Sequence, residues 1–444
     1  MRFLMLSIVW FAMSAQADWP QFLGETRDGK SAETGLTTNL PAIRILWSHP
    51  RGESYSAPSI HNGRLVHHGR FQGVEKVECL DAATGKLIWS NETPTTYHDR
   101  FNYLNGPRAS PAIDGDRVYT LGAQGVLSCL SLQDGRLLWR RPLMEEFAVG
   151  EDFFGFCSSP LIEGDALILN VGEGKCVVAL DKFSGAIRWI ADDPWGRSYA
   201  TPVAATVYGR RVLFVFSGGE SSPPSGGLLC LDAATGKIYS RFPWRSPRYT
   251  SVNASTPVVS GSRVFISSSY DVGGVMLEVQ PDFTFKEIYR TKAYASHWAT
   301  PILVGGHLYG FANNQLTCME WSTGTRVWRS AVRLAGVESQ VTTGSGSGAD
   351  QYREPPGKAG FGIGSLLYAD GRFLCLGENG LLAWLEISPE GFRIISSVRL
   401  FNAEQAWTAP VLSDGRAYIC QNLPDSENLS RLICLDLSPA GRRD

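Results

Sequence analysis

From residue 56 onward, hydrophobic and polar positions follow one short pattern that returns at intervals of about 40 to 55 residues. A pair drawn from Ser, Ala and Thr precedes a Pro, then come an apolar pair, a two-residue turn with Gly and an alternating run. A second alternating run closes on Cys-Leu-Asp or a variant and leads through a turn such as Ala-Ala-Thr-Gly-Lys to an aromatic residue. The clearest copy runs from Ser56-Ala57-Pro58 through Asn62-Gly63 and Cys79-Leu80-Asp81 to Ala82-Ala83-Thr84-Gly85-Lys86 and Trp89. Period-two runs rich in β-formers predict strands, as at residues 117–121 and 126–130, and Asp114-Gly115 predicts a hairpin. Gly85, Gly185, Gly236 and Gly324 stand where the turn calls for a positive φ. No long segment carries a sustained helical period, so the chain reads as all-β.

The opening Pro recurs as Pro58, Pro111, Pro160, Pro202, Pro257, Pro301 and Pro410. The double gap before Pro410 is filled by a degenerate copy, Gly364-Ser365-Leu366 followed by Asp370-Gly371. The closing aromatics, Trp47, Trp89, Trp139, Trp189, Tyr239, Tyr289 and Trp328, keep the same period. Trp47 precedes the first Pro, while the unit opened by Pro410 ends at Cys434-Leu435-Asp436 without an outer strand. The segment from Ile43 to Ser48 therefore supplies that strand. Units of four short strands predict a β-propeller, here of eight four-stranded antiparallel blades, its ring closed by the N-terminal strand. Closure matters because an open ring would leave the last blade with an unpaired sheet edge exposed to other chains.

Continuous repeats make one large domain of residues 43–437, preceded by a leader (18–42) and followed by a tail (438–444). Residues 1–17 begin with Arg2, continue as an apolar stretch and end in Ala15-Gln16-Ala17, which reads as a signal peptide cut after Ala17. An exported protein, periplasmic or secreted, is expected. No second apolar segment reaches the length of a membrane span, and no lipidation Cys follows the apolar core. The 41 basic and 43 acidic residues nearly cancel without a basic run, which argues against nucleic acid as a partner. A monomer is expected. Residues 336–362 have the Gly, Ser and Pro content of a flexible insertion, either a connector or a lid.

Nine cysteines in an exported chain would suggest disulfides, but Cys79, Cys129, Cys230, Cys318 and Cys434 hold one slot of the repeat. Equivalent points of neighbouring blades lie beyond the roughly 7 Å between Cα atoms that a disulfide tolerates, so these read as small buried hydrophobes. Cys157, Cys176, Cys375 and Cys420 stay open.

The opening Pro, the turns at Leu80 to Lys86 and Leu231 to Lys237 and the outer aromatic together resemble the pyrroloquinoline quinone (PQQ)-type β-propeller repeat, over nearly all of the mature chain. The stretch Asp18-Trp19-Pro20-Gln21-Phe22-Leu23-Gly24 resembles the leader of secreted bacterial members. The resemblance implies one of two classes. Quinoprotein dehydrogenases oxidise alcohols or sugars with PQQ and calcium and carry a vicinal Cys pair, which this chain lacks. The other class is non-enzymatic, like the outer-membrane assembly factor BamB.

No Ser elbow, zinc motif or phosphate loop is present, and His67 and His68, adjacent on a strand, point to opposite faces. No catalytic residue and no metal ligand are assigned. What remains is the set of residues entering the innermost strands, which converge on the central channel: Tyr55, Arg108, Phe156, Tyr199, Asn253, His297, Trp298 and Trp407. They either bind a ligand or plug the channel. The stretch from Asn91 to Pro107, with Tyr97, Phe101 and Tyr103, carries further recognition chemistry. The expected function is a non-catalytic scaffold that binds a protein, peptide or carbohydrate; the alternative is a PQQ-dependent oxidoreductase.

Overall fold

A computed structural model of the chain describes residues 17–172, 174–330 and 360–439. Its strands form eight separate antiparallel sheets of four, arranged as the blades of a propeller. Seven blades are sequential meanders, from Ser59–His61 through Leu87–Pro94 in the first to Ser365–Ala369 through Gly391–Arg399 in the degenerate seventh. The eighth takes its outer strand, Arg44–Pro50, from the N-terminal end of the chain. Trp47 pairs there with Cys434 in the register in which Cys79 pairs with Trp89 and Cys129 with Trp139. The closing strand thus repeats the geometry of a continuous blade. Among the described residues the regular helices are short, Leu143–Phe147 and the 3-10 turn Leu40–Ala42, and none could cross a membrane. The insertion expected at 336–362 and the signal peptide lie largely outside the described residues.

The repeat pattern has a physical cause at both ends of each blade. At the periphery the outer aromatic lies against the turn of the following blade. The Trp89 indole Nε1 donates to the Leu132 carbonyl at 2.9 Å, and Trp139 and Trp328 do the same to Lys182 and Ser388 at 3.2 and 2.9 Å. Beneath these rings lie turn glycines such as Gly135 and Gly236, each with a φ of +72°. A β-carbon on Gly236 would stand 2.3 Å from the Trp189 ring. The turn needs Gly both for its left-handed φ and for the ring above it.

At the centre, the small pair before each Pro links one blade to the next. The Ser110 hydroxyl accepts from the Ala57 backbone N–H, Ser159 from Ser110, Thr201 from Ser159, Thr256 from Thr201 and Thr300 from Thr256, at 2.9 to 3.3 Å. Small residues let the innermost strands converge, and the hydroxyls satisfy amides that no sheet ladder reaches. Between these rings the middle strands bury Val, Leu and the repeat-slot cysteines. All nine cysteines are free thiols, eight of them buried.

The leader is built into the ring. Trp19 exchanges backbone hydrogen bonds with Ile60 at 3.0 and 2.8 Å, and Pro20 accepts from Ile113 at 2.8 Å. Arg27 reaches the Ile162 carbonyl at 2.6 Å, and Gly29 accepts from Tyr368 at 2.9 Å. Ile60, Ile113, Ile162 and Tyr368 all lie on innermost strands, so the leader crosses one end of the channel.

A blind aromatic cavity in the channel

Because the leader crosses one end, the channel is a blind cavity of about 460 Å³. Phe22 and Leu23 form its floor. At the opposite end, where the chain enters each innermost strand, the wall carries Tyr55, Arg108, Tyr199, His297, Trp298 and Trp407, six of the eight channel residues expected from sequence. The aromatic members touch one another. Tyr55 stacks on Trp407 with centroids 5.2 Å apart, and Trp407 lies 4.7 Å from Trp298, which lies 4.6 Å from His297. Tyr103 meets the other edge of Trp407 at 5.4 Å.

The remaining two expected residues are placed elsewhere, for different reasons. Phe156 turns into the packing between blades, where the Arg197 guanidinium lies 4.2 Å from its ring. Asn253 is fully buried, its side-chain amide donating to the carbonyls of Ser217 and Trp244 at 2.8 and 2.9 Å. It braces a loop. Phe154, two residues before Phe156, is the one that reaches the cavity.

Sequence reasoning did not assign Phe22, Leu23, Phe101, Tyr103, Phe154 and Tyr270 to the channel, yet all line it. A signal existed for Phe101 and Tyr103, which belong to the aromatic loop already conspicuous before Pro107. At the mouth, Phe101 packs against Phe153 and Phe154 at 5.7 and 5.2 Å, and Tyr249 joins Phe153 at 5.3 Å. Phe101 and Tyr249 remain nearly half exposed, at 42% and 49%.

The electrostatics of the wall are subdued. The guanidinium of Arg108 is held by the fully buried carboxylate of Asp99 at 2.7 Å, donates to the Phe154 carbonyl, and faces the Tyr55 and Phe154 rings at 5.4 and 5.6 Å. Burial lowers the His297 imidazole to about 4, so it is neutral at physiological pH, and its Nε2 shares a 2.6 Å hydrogen bond with the Tyr270 hydroxyl. Burial likewise pushes the Cys157 thiol up to about 12, which removes it as a nucleophile. Burial also raises the Tyr55 phenol, which hydrogen-bonds Gln405. No Asp or Glu side chain is among the described residues of the wall. The arrangement can stack on flat or apolar groups and offers little acid–base chemistry.

Comparison with known proteins gives this architecture a family. The profile of the family described as outer membrane protein assembly factor BamB matches residues 73–330. The chain belongs to that family. The BamB protein of Yersinia pestis is 27% identical over 177 residues, which is 39% of each chain, so the match spans about two fifths of that relative's length. Among solved structures, BamB from Moraxella catarrhalis superposes with a TM-score of 0.55 at 13% identity, covering 89% of this chain and 98% of the other. A europium-containing methanol dehydrogenase superposes with a TM-score of 0.65 at 12% identity, covering 95% and 98%. At such identity the structural likenesses speak for the propeller fold alone.

Proposed function

We propose that the chain is a non-catalytic propeller that binds a protein partner by taking an apolar or aromatic side chain of that partner into the channel. One observation carries this reading: a blind cavity walled by contiguous aromatic rings, with an exposed aromatic mouth and no carboxylate among the described residues of its wall. Such a site rewards insertion of a flat apolar group and excludes water from the stack. Phe101 and Tyr249 extend the surface outward, so a peptide segment flanking the inserted side chain finds further apolar area. Membership of the assembly-factor family supports a protein partner over a sugar. Export through the segment at residues 1–17 and action in the cell envelope belong to the same proposal.

The oxidoreductase alternative has less support from these residues. PQQ would bring three carboxylates and a calcium ion, supplying hydride-accepting chemistry when bound. Among the described residues the wall offers one guanidinium, Arg108, already engaged by Asp99, and no lining carboxylate, the Glu378 carboxylate being taken by the Trp407 indole behind the wall. The residues present do not fit that group.

Selection of a random peptide library on the mature chain, followed by calorimetry, tests the reading. Peptides with an exposed Trp, Tyr or Phe should bind, and Trp298→Ala with Trp407→Ala should weaken them at least about tenfold, since hot-spot aromatics carry about 2 kcal/mol or more. Selection of no peptide, together with saturable binding of an oligosaccharide or of PQQ with Ca²⁺, would replace it.

A further inference from the structure

Sequence spacing gave no metal motif, and His67 and His68 do diverge across their strand. His68 faces Glu75 at 3.5 Å, whose other carboxylate oxygen accepts from the Ala123 backbone in the second blade. His67 faces the other way, toward the seam where the last blade meets the first. There it meets two residues that local spacing could not have grouped. Glu78 is its direct cross-strand partner in the first blade, and His49 comes from the closing strand of the eighth.

The three side chains converge on one point. His67 Nε2 lies 3.0 Å and His49 Nε2 3.2 Å from the same oxygen, Glu78 Oε2, and the ligand atoms of all three lie within 4.8 Å of one another. Four-coordinate zinc with bonds of about 2.0 to 2.2 Å sets its ligand atoms about 3.4 Å apart, so an ion fits with small side-chain adjustments. The second observation concerns His67 alone. It is 4% exposed, yet neither of its ring nitrogens has a hydrogen-bond partner at acceptable geometry, although Nε2 is aimed at the carboxylate. A buried imidazole left in this state is unfavourable, and a metal bond at Nε2 satisfies one of its two ring nitrogens.

We infer that His49, His67 and Glu78 form a binding site for a divalent borderline metal ion, zinc or a chemical equivalent, that joins the last blade of the ring to the first. Two imidazoles and one carboxylate are a donor set that zinc takes in three-ligand sites, water completing the tetrahedron. The site ties the closing strand, Arg44–Pro50, to the first blade, which follows it directly in the chain.

The mature chain, stripped with a chelator, is titrated with Zn²⁺ by calorimetry and with Co²⁺ by visible absorption. The expected result is one equivalent bound, a tetrahedral Co²⁺ spectrum and a higher thermal midpoint in the presence of Zn²⁺. His49→Gln and Glu78→Gln, checked for native circular dichroism in chelator, should each weaken binding at least about tenfold and lose the rise in midpoint. His61→Gln, at a site paired with Asp18 instead, should leave both unchanged. Anomalous scattering from a zinc-loaded crystal of the unmodified chain should place the ion between the three side chains, a result independent of how the variants fold. Absence of saturable binding in the micromolar range, an ion located elsewhere, or binding that survives both seam variants would overturn the inference.

Discussion

Aromatic residues occur in two rings of this molecule, one around its circumference and one inside its channel, and the two are built differently. In the outer ring each aromatic has its own socket. Trp89, Trp139 and Trp328 each donate to one carbonyl of the following blade, and beneath Trp89 the turn keeps Gly135, where a β-carbon would collide with the ring. In the channel the rings lie against each other as well as on hydrogen-bond partners that differ from one to the next: Tyr55, Trp407, Trp298 and His297 form a continuous run across three blades, open on one side to a cavity. An aromatic whose every contact repeats from blade to blade is bracing the ring. One whose contacts occur once is available for recognition.

Replacements should separate the two roles. The largest effect belongs to Trp328→Ala, which empties a socket whose ring is 1% exposed; unfolding in denaturant should show a loss of about 3 to 5 kcal/mol. Gly236→Val places a branched side chain at a φ of +72° with its β-carbon against Trp189, and the same measurement should register about 3 kcal/mol. Both losses should appear with no change in the intrinsic affinity of the folded fraction for a selected peptide.

His297 sharpens the contrast through pH. Burial holds its folded-state value near 4 against an ordinary 6.5, so the unfolded chain binds more protons between those values. The stability contributed by the neutral imidazole is therefore complete above about pH 6.5 and lost as pH falls toward 4, amounting to about 3 kcal/mol. His297→Asn should flatten that part of the profile, measured by thermal or denaturant unfolding across the window. The smallest stability effect is expected for Trp407→Ala, about 1 kcal/mol of lost stacking, because this ring already borders open space.

What the sequence disclosed follows the same division. The blade count, the closing role of Trp47 and the packing role of the repeat-slot cysteines were legible because each is fixed by a local rule applied many times: alternation, a turn Gly, a small residue before Pro. The channel was legible only in part. Residues before the opening Pro do enter it, but loop lengths there differ from blade to blade, so Phe154 and not Phe156 faces the cavity, and Asn253 is drawn into a loop brace. The floor made by Phe22 and Leu23 depends on the leader crossing the channel, a long-range arrangement with no periodic signature. The cluster of His49, His67 and Glu78 escaped for a related reason, since its members come from strands of two different blades and have no close metal-ligand spacing along the chain.

The claim that the channel aromatics recognise a ligand while the outer aromatics brace the ring is tested most directly by one paired affinity measurement. A peptide selected on the unmodified chain is titrated into the Trp298→Ala, Trp407→Ala double variant and into Trp139→Phe, each below its melting range. The account predicts at least about a tenfold loss in the channel variant and unchanged affinity in the outer one. Equal affinity for both, or a loss confined to Trp139→Phe, would contradict it.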